Sequence, residues 1–332
     1  MSLAAQDLPE YLSGKTTLPP FWLAAGSEEL LQLESVDFIR RHARSIGYHD
    51  RAVLEMAGNS DWSKLSEAAS AVGLFADRKI IEVRLPGGKP GLRGAAAIQA
   101  YVKHPLDGVV TIFSMPKPDW SGVKAAWWKA LTAASVVVEC DPIERSELPR
   151  WLSGRLARQG QSADREALEA FADLVEGNLL AAAQETAKLG ILCGEKALTK
   201  SEIEASVVDS SRFGPDALLK AICLGQSERA ARIVDALEGQ GEPMPLVLML
   251  VSNLIRSLIK LRSGYDAGAY GVKGVFATPE LKRAARRLSV KKLSGALSVC
   301  AEIDRLSKGL SVPSRDSNPW IELKSVALFL AR

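Results

Sequence analysis

The sequence predicts an α/β domain built on a parallel sheet, joined to an all-α remainder. Three observations carry this. Up to Cys140, short apolar runs rich in β-branched and aromatic residues alternate with amphipathic stretches, the pattern of a parallel sheet covered on both faces. Asp141-Pro142 ends that alternation. Everything after it has helical spacing only.

The strand-like runs are Phe21–Ala25, Ala52–Met56, Lys79–Arg84, Val109–Phe113 and Ser135–Glu139. Between them lie helical patterns at Glu28–Ser45, Trp62–Val72, Ala95–Lys103 and Ser121–Ala133. The boundary of this block falls near Glu144. Ser146–Gln159 then carries Leu148, Trp151, Leu152 and Leu156 at helical spacing. Asp164–Val175 opens on an acidic first turn, Gly177-Asn178 separates it from Leu179–Leu192, and Thr199–Val207 is a short fourth helix. Gly214-Pro215 marks a second boundary. The last block holds about five or six helices, the most apolar at Pro245–Leu261. No fixed-period repeat or low-complexity tract appears.

The bulk numbers are ordinary for a soluble chain: 332 residues, 47% hydrophobic and 24% charged, enough for roughly two or three domains. No apolar run approaches the ~18 residues of a membrane span, and the N-terminus lacks a signal-like core. Cys140, Cys193, Cys223 and Cys300 are far apart and suit reduced core residues of a cytosolic protein. His42, His49 and His104 are the only histidines, and their scatter away from the cysteines argues against a zinc site or a classical triad. There are no paired carboxylates for acid–base work and no nucleophile elbow. The net charge of +3 is unevenly spread. Residues 213–332 hold 18 Lys and Arg against 11 Asp and Glu, leaving 24 against 28 in the rest. The C-terminal third is the basic part, a mild pointer to a polyanion.

In a nucleotide-binding α/β domain, the turn between the first strand and its helix carries the glycines and lysine that cradle phosphates. Here that turn is Gly26-Ser27-Glu28-Glu29. It has no lysine, and its two carboxylates suit the positive helix terminus but repel a polyphosphate. Gly14-Lys15-Thr16-Thr17 imitates the end of a Walker A motif, but Pro9 stands where the first glycine belongs, and the segment precedes the strand and runs into Leu18-Pro19-Pro20.

Three further features invite function. Ser70-Ala71-Val72-Gly73-Leu74-Phe75 ends the second helix, with Gly73 a natural helix stop. By pattern alone Leu74-Phe75 is a hydrophobic cap tucked into the core. The competing reading is an exposed knob for a partner's pocket. Lys282, Arg283, Arg286 and Arg287 recur on one helical face, followed by Lys291 and Lys292, while Leu281, Ala284, Ala285 and Leu288 face elsewhere. This is either a solvated face or a contact for DNA phosphates or an acidic partner. Lys124, Trp127, Trp128 and Lys129 interleave cations and aromatics. The adjacent tryptophans point about 100° apart on a helix, so at least one belongs to the core, and base stacking is the alternative.

Taken in order, these pieces resemble the δ-subunit family of the bacterial DNA polymerase III clamp loader. The similarity spans nearly the whole chain. It runs from Leu18-Pro19-Pro20-Phe21-Trp22-Leu23 and Gly26-Ser27-Glu28-Glu29 through Gly73-Leu74-Phe75-Ala76-Asp77-Arg78-Lys79 and Leu85-Pro86-Gly87-Gly88-Lys89-Pro90-Gly91. The most specific pieces are Leu148-Pro149-Arg150-Trp151-Leu152 and Glu176-Gly177-Asn178-Leu179-Leu180-Ala181-Ala182-Ala183-Gln184-Glu185, and Trp320-Ile321-Glu322-Leu323 opens the last helix.

The resemblance implies a P-loop NTPase-like, AAA+-like α/β domain over 1–144, a small helical lid domain over 145–212 and a helical collar domain over 213–332. It implies no ATP site in this chain, the nucleotide being bound by partner subunits, and no chemistry of its own within the polymerase III holoenzyme. The implied partners are the β sliding clamp, the ATPase subunits gamma and tau, delta prime and primed DNA, in the bacterial cytoplasm at the replisome and without a membrane. Ser70, Val72, Gly73, Leu74 and Phe75 would bind the clamp, with Leu74 and Phe75 entering its apolar pocket. Ser70 stands where the family usually has glutamine, and a serine does not reach as far. The loop from Lys308 to Asn318 would lie near the template strand and offers Arg315 but no aromatic residue, so stacking there falls to the guanidinium. Lys282, Arg283, Arg286 and Arg287 are further candidates for DNA or partner contact. Two other classes compete on the residues alone. One is an AAA+ ATPase with a divergent site. The other is a free-standing helical DNA-binding protein using the basic face at 282–292.

Overall fold

Phe21–Ala25 is buried at every position, as expected of a central strand covered on both faces. The computed structural model that places it describes residues 1–70, 78–263, 278–313 and 315–332. These divide into two compact units, Met1–Gly160 and Gln161–Arg332.

The first unit contains β1 (Ser2–Ala4), α1 (Leu8–Leu12), β2 (Phe21–Ala25), α2 (Glu29–Ser45), β3 (Asp50–Glu55) and α3 (Ser63–Ser70). It continues with β4 (Lys79–Arg84), α4 (Gly91–Tyr101), β5 (Val109–Met115), α5 (Ala126–Ala134), β6 (Val136–Glu139) and α6 (Leu148–Ala157). The six strands form one sheet in the order β1-β6-β2-β5-β4-β3, and every pairing is parallel. The register sets Leu23 beside Phe113 and Val83 beside Phe113. These side chains share one face with Trp62, Leu65, Ile98, Trp127, Trp128 and Leu131 from α3, α4, α5 and the segment before α3. Alternation sends Trp22, Glu82 and Ile112 to the other face, where α2 packs.

The expected strands and helices of this unit are present, with shifted ends. α4 starts four residues earlier than its periodicity indicates. Gly94 lies inside the helix, and the lack of a side chain there leaves room for the Trp62 ring, which a Cβ would meet at 2.4 Å. α5 starts later, because the Asp119 carboxylate accepts from the Ser121 and Gly122 amides and holds a separate turn ahead of it. β1 is an addition. It is a three-residue edge strand, too short to show a period, and it exists only because β6 offers a partner.

The second unit contains β7 (Ser162–Ala163), α7 (Arg165–Val175), α8 (Leu179–Cys193), β8 (Ala197–Leu198) and α9 (Lys200–Ser206). It then adds α10 (Pro215–Leu224), α11 (Ser227–Gly239), α12 (Met244–Arg262), α13 (Pro279–Arg287), α14 (Val290–Ser307) and α15 (Pro319–Leu330). β7 and β8 form a two-residue parallel pair within an otherwise helical unit. Asp164, Asn178 and Thr199 cap α7, α8 and α9 with their side chains, Thr199 in a full capping box with Glu202. Glu176-Gly177-Asn178 has a local logic. Gly177 is left-handed at φ +74° and lies so close to the Arg212 carbonyl that any side chain would collide. Asn178 also donates to the Ser210 carbonyl at 3.1 Å, and the Glu176 carboxylate pairs with Arg229 of α11. α12 is long and apolar enough to cross a membrane by length and composition, but Val247, Val251, Ile255 and Leu258 are fully buried in this unit's core.

The four cysteines are free, three of them buried. Burial pushes the Cys140 thiol up to about 12, so it packs as a small apolar side chain.

Glu82 is the one buried charge in the sheet's covered face. Its carboxylate receives Arg51 bidentately at 2.8 Å twice and Arg40 of α2 at 3.0 Å. Burial alone would push Glu82 up, but the Arg51 hydrogen bonds and the Arg40 and Arg51 charges outweigh it, holding the carboxyl below its ordinary 4.5. The Glu82→Gln variant is expected to lose about 2 kcal/mol, less than a fully buried pair because Arg51 and Arg84 keep solvent contact. The stabilising share of Glu82 is complete above pH 4.5 and lost as pH falls through the lower native value. Denaturant midpoints from neutral into acid pH check both points: the variant should fall less steeply than the wild type.

Candidate functional site

The turn after β2 sits at the carboxyl edge of the sheet, where β5 and β6 flank it, the usual place for a ligand in an open α/β sheet. The chain's own groups occupy it. The Gly26 amide donates to the Met115 carbonyl at 3.3 Å, and the Glu28 amide to the Cys140 carbonyl at 2.9 Å. The Gln32 side-chain amide donates to the Gly26 carbonyl at 2.6 Å. The Glu28 carboxylate caps α2 by accepting from the Leu30 amide at 3.3 Å. Burial pushes Glu28 above its ordinary value, the Leu30 hydrogen bond opposes this, and Glu29 adds to it. A Cβ on Gly26 would stand 1.9 Å from the Cys140 oxygen. The amides that would face a phosphate in a nucleotide site are therefore spent inside the fold.

Of the residues assigned to clamp contact, Ser70 is the last of α3 and is exposed. Val72, Gly73, Leu74 and Phe75 lie outside the described residues. The far flank is pinned: Arg78 donates to the Ile46 carbonyl and lies over the Tyr48 ring at 5.5 Å.

The basic helix α13 buries Leu281, Ala284 and Ala285 and exposes Lys282, Arg283 and Arg286. Arg287 departs from the sequence reading. Its guanidinium turns inward and donates to the Leu330 carbonyl at 2.9 Å and the Ile222 carbonyl at 2.7 Å, tying down the C-terminal turns of α15 and α10. Burial lowers its pKa from the ordinary value. It is a structural cation at two negative helix ends, and the exposed basic face consists of the other three. Lys291 and Lys292 stand in the first turn of α14, beside an open apolar groove of about 650 Å³ between α14 and α15.

Arg315 is not a free guanidinium either. It donates to Glu302 at 2.6 Å and Glu322 at 3.1 Å, and Glu322 also accepts from the Asp316 amide at 2.9 Å. The side chain holds the loop before α15 against α14 and α15. The tryptophans of the Lys124–Lys129 stretch also separate. Trp127 and Trp128 are core, in edge contact at 5.6 Å. The exposed indole is Trp120, which sequence reasoning passed over because it stands alone in a Pro-rich loop. Among the described residues, no group of His, Cys, Asp and Glu is arranged to hold a metal.

The described residues thus pair a six-stranded parallel sheet with a mostly helical second unit. Structurally, the chain resembles a Bacillus subtilis DNA clamp loader delta protein over 99% of its own length and all of that chain, with a TM-score of 0.54 at 20% identity. Residues 22–141 match the family described as DNA polymerase III, delta subunit. The chain is 29% identical to the DNA polymerase III subunit delta of Escherichia coli K12 over 241 residues, covering 73% of this chain and 70% of that protein. It is 26% identical to that of Haemophilus influenzae over 243 residues, covering 72% and 70%. The family model, both curated relatives and the structural neighbour thus point to the same resemblance, to DNA polymerase III delta subunits.

The different roles within α13 are measurable. Arg287→Ala should cost about 2 kcal/mol, through two lost charge-assisted hydrogen bonds and two stranded carbonyls. Arg286→Ala should stay within about 0.5 kcal/mol of wild type. Equal unfolding midpoints for the two variants would contradict the structural role of Arg287.

Proposed function

We propose that this chain is the clamp-opening subunit of a DNA polymerase III clamp loader, and that it uses Leu74 and Phe75 as a knob for the β sliding clamp. The observation that supports this most is the pairing of a nucleotide-binding-type sheet with a turn that spends its own amides on Cys140, Met115 and Glu28. Such a unit keeps the architecture of an ATP-driven motor while giving up the nucleotide. In this reading the domain over 1–144 is AAA+-like and binds the clamp, 145–212 is the lid, and 213–332 is the collar that assembles with gamma or tau and delta prime. ATP belongs to those partners, and this chain has no catalytic site of its own. A replication subunit of this kind works in the bacterial cytoplasm.

The mechanism is a population shift. ATP binding by the partners assembles the ring and presents the knob. A knob that binds the open clamp better than the closed one opens it by that difference in affinity. Hydrolysis in the partners on primed DNA reverses the preference and leaves a closed clamp on the duplex. The cations Lys282, Arg283 and Arg286 are the residues on α13 available to DNA or to a ring neighbour, while Arg315 reaches either only by exchanging its carboxylate partners. Ser70, at the head of the knob, is too short to make the polar contact of the family's usual glutamine.

Burying a Leu and a Phe contributes about 1.5–3 kcal/mol each. The Leu74→Ala/Phe75→Ala variant should therefore lose about 3–6 kcal/mol of clamp affinity in a titration of the purified chain with its cognate clamp. An undiminished affinity in that variant would end the proposal.

A further inference from the structure

At the carboxyl edge of the sheet, the loops after β4 and β5 enclose an open cleft of about 550 Å³. Gly87, Gly88 and Lys89 form one wall, and Lys117, Pro118 and Asp119 form the other. Leu92 lines it, and Trp120 stands in the chain between the lining residues Asp119 and Ser121. Leu92 is 93% exposed, and Trp120, directly after Asp119, is 76% exposed. Trp120 is the exposed indole of this chain, and it has a cation for company: the Lys124 ammonium lies 3.4 Å from the ring centroid. The one carboxylate on the cleft wall is consumed internally. Asp119 accepts from the Ser121 hydroxyl at 2.6 Å and from the Ser121 and Gly122 amides. These bonds, the Ser121 hydroxyl foremost, hold it below its ordinary value, and the charge of Lys89 contributes. Asp141, paired with Lys117 at 3.2 Å, is half exposed and can be exchanged for another anion.

We propose that this cleft is a binding site for single-stranded nucleic acid, with a base stacked on Trp120 and phosphates on Lys89, Lys117 and Lys124. Stacking platforms set beside lysines are the general solution for a strand with exposed bases, because every base has a π-face and every linkage a charge. The bare Gly87 surface allows a sugar-phosphate backbone to approach closely. An acidic peptide would satisfy the lysines but would leave the indole and Leu92 without a matching flat partner. This site goes beyond the clamp reading and lies within the first unit.

The test is fluorescence anisotropy of the full-length chain with a labelled single-stranded oligothymidine at low salt, repeated over a salt series. The wild type should bind weakly. Trp120→Ala should weaken binding about ten-fold, while Trp120→Phe should retain most of it. Lys89→Ala/Lys117→Ala should reduce the log–log salt slope by about 1.4, at roughly 0.7 per phosphate contact. Lys103→Ala, an exposed lysine outside the cleft, should change neither. No wild-type binding at low salt, or Trp120→Ala binding that equals wild type, would overturn the site. Each variant's clamp affinity is read separately, so the DNA site and the clamp knob can fail independently.

Discussion

The end of β2 meets the backbone after β6 at Gly26, with room for a hydrogen and nothing larger. Much of the first unit depends on that contact. It seats the Glu28 amide on the Cys140 carbonyl, which fixes where α2 begins, and α2 in turn delivers Arg40 to Glu82 and Glu34 to Arg155 of α6. The same contact closes the space that a phosphate-binding loop would keep open. Fold and function therefore share one constraint: the turn that organises the sheet's covered face also disposes of the amides a nucleotide would need.

The second unit is held by charges placed at chain ends and turns. Glu176 joins the turn between α7 and α8 to α11 through Arg229, and Arg232 reaches Asp173 at 3.0 Å. Arg287 ties α10 and α15, and Arg315 ties the last loop to α14 and α15. Arg229, Arg287 and Arg315 satisfy largely buried carboxylates or helix-end carbonyls that would otherwise cost free energy, while Arg232–Asp173 is a solvent-exposed pair of small weight. Part of the basic surplus of the C-terminal third is thus structural, and the exposed remainder is smaller than the composition indicates.

Much of the fold was legible because it rests on periodicity. The strands at Phe21, Lys79 and Val109 and helices such as α8 and α12 announce themselves by apolar spacing and caps. The two added strand pairs were not legible, since two or three residues carry no period and pair only where a neighbour is already in place. The start of α4 was hidden because its first turn, Gly91-Leu92-Arg93-Gly94, carries two glycines and an exposed leucine in place of an apolar stripe. In the candidate sites, residue type was readable but direction was not. Arg286 and Arg287 are adjacent and alike in sequence, yet one faces solvent and the other two helix ends. Trp127 and Trp128 looked available and are core, while the isolated Trp120 is the exposed one.

The sequence by itself determined the alternation of strand and helix, the helical remainder, and a lysine-free acidic turn after the first long strand, because each is a local property of residue type and spacing. Only the tertiary structure decided which cations are exposed, that Gly26 is wedged against Cys140, and that Lys89, Lys117 and Asp119 line one cleft. Those facts depend on residues far apart in the chain meeting across a sheet edge or between helix ends, and no local pattern encodes such a meeting.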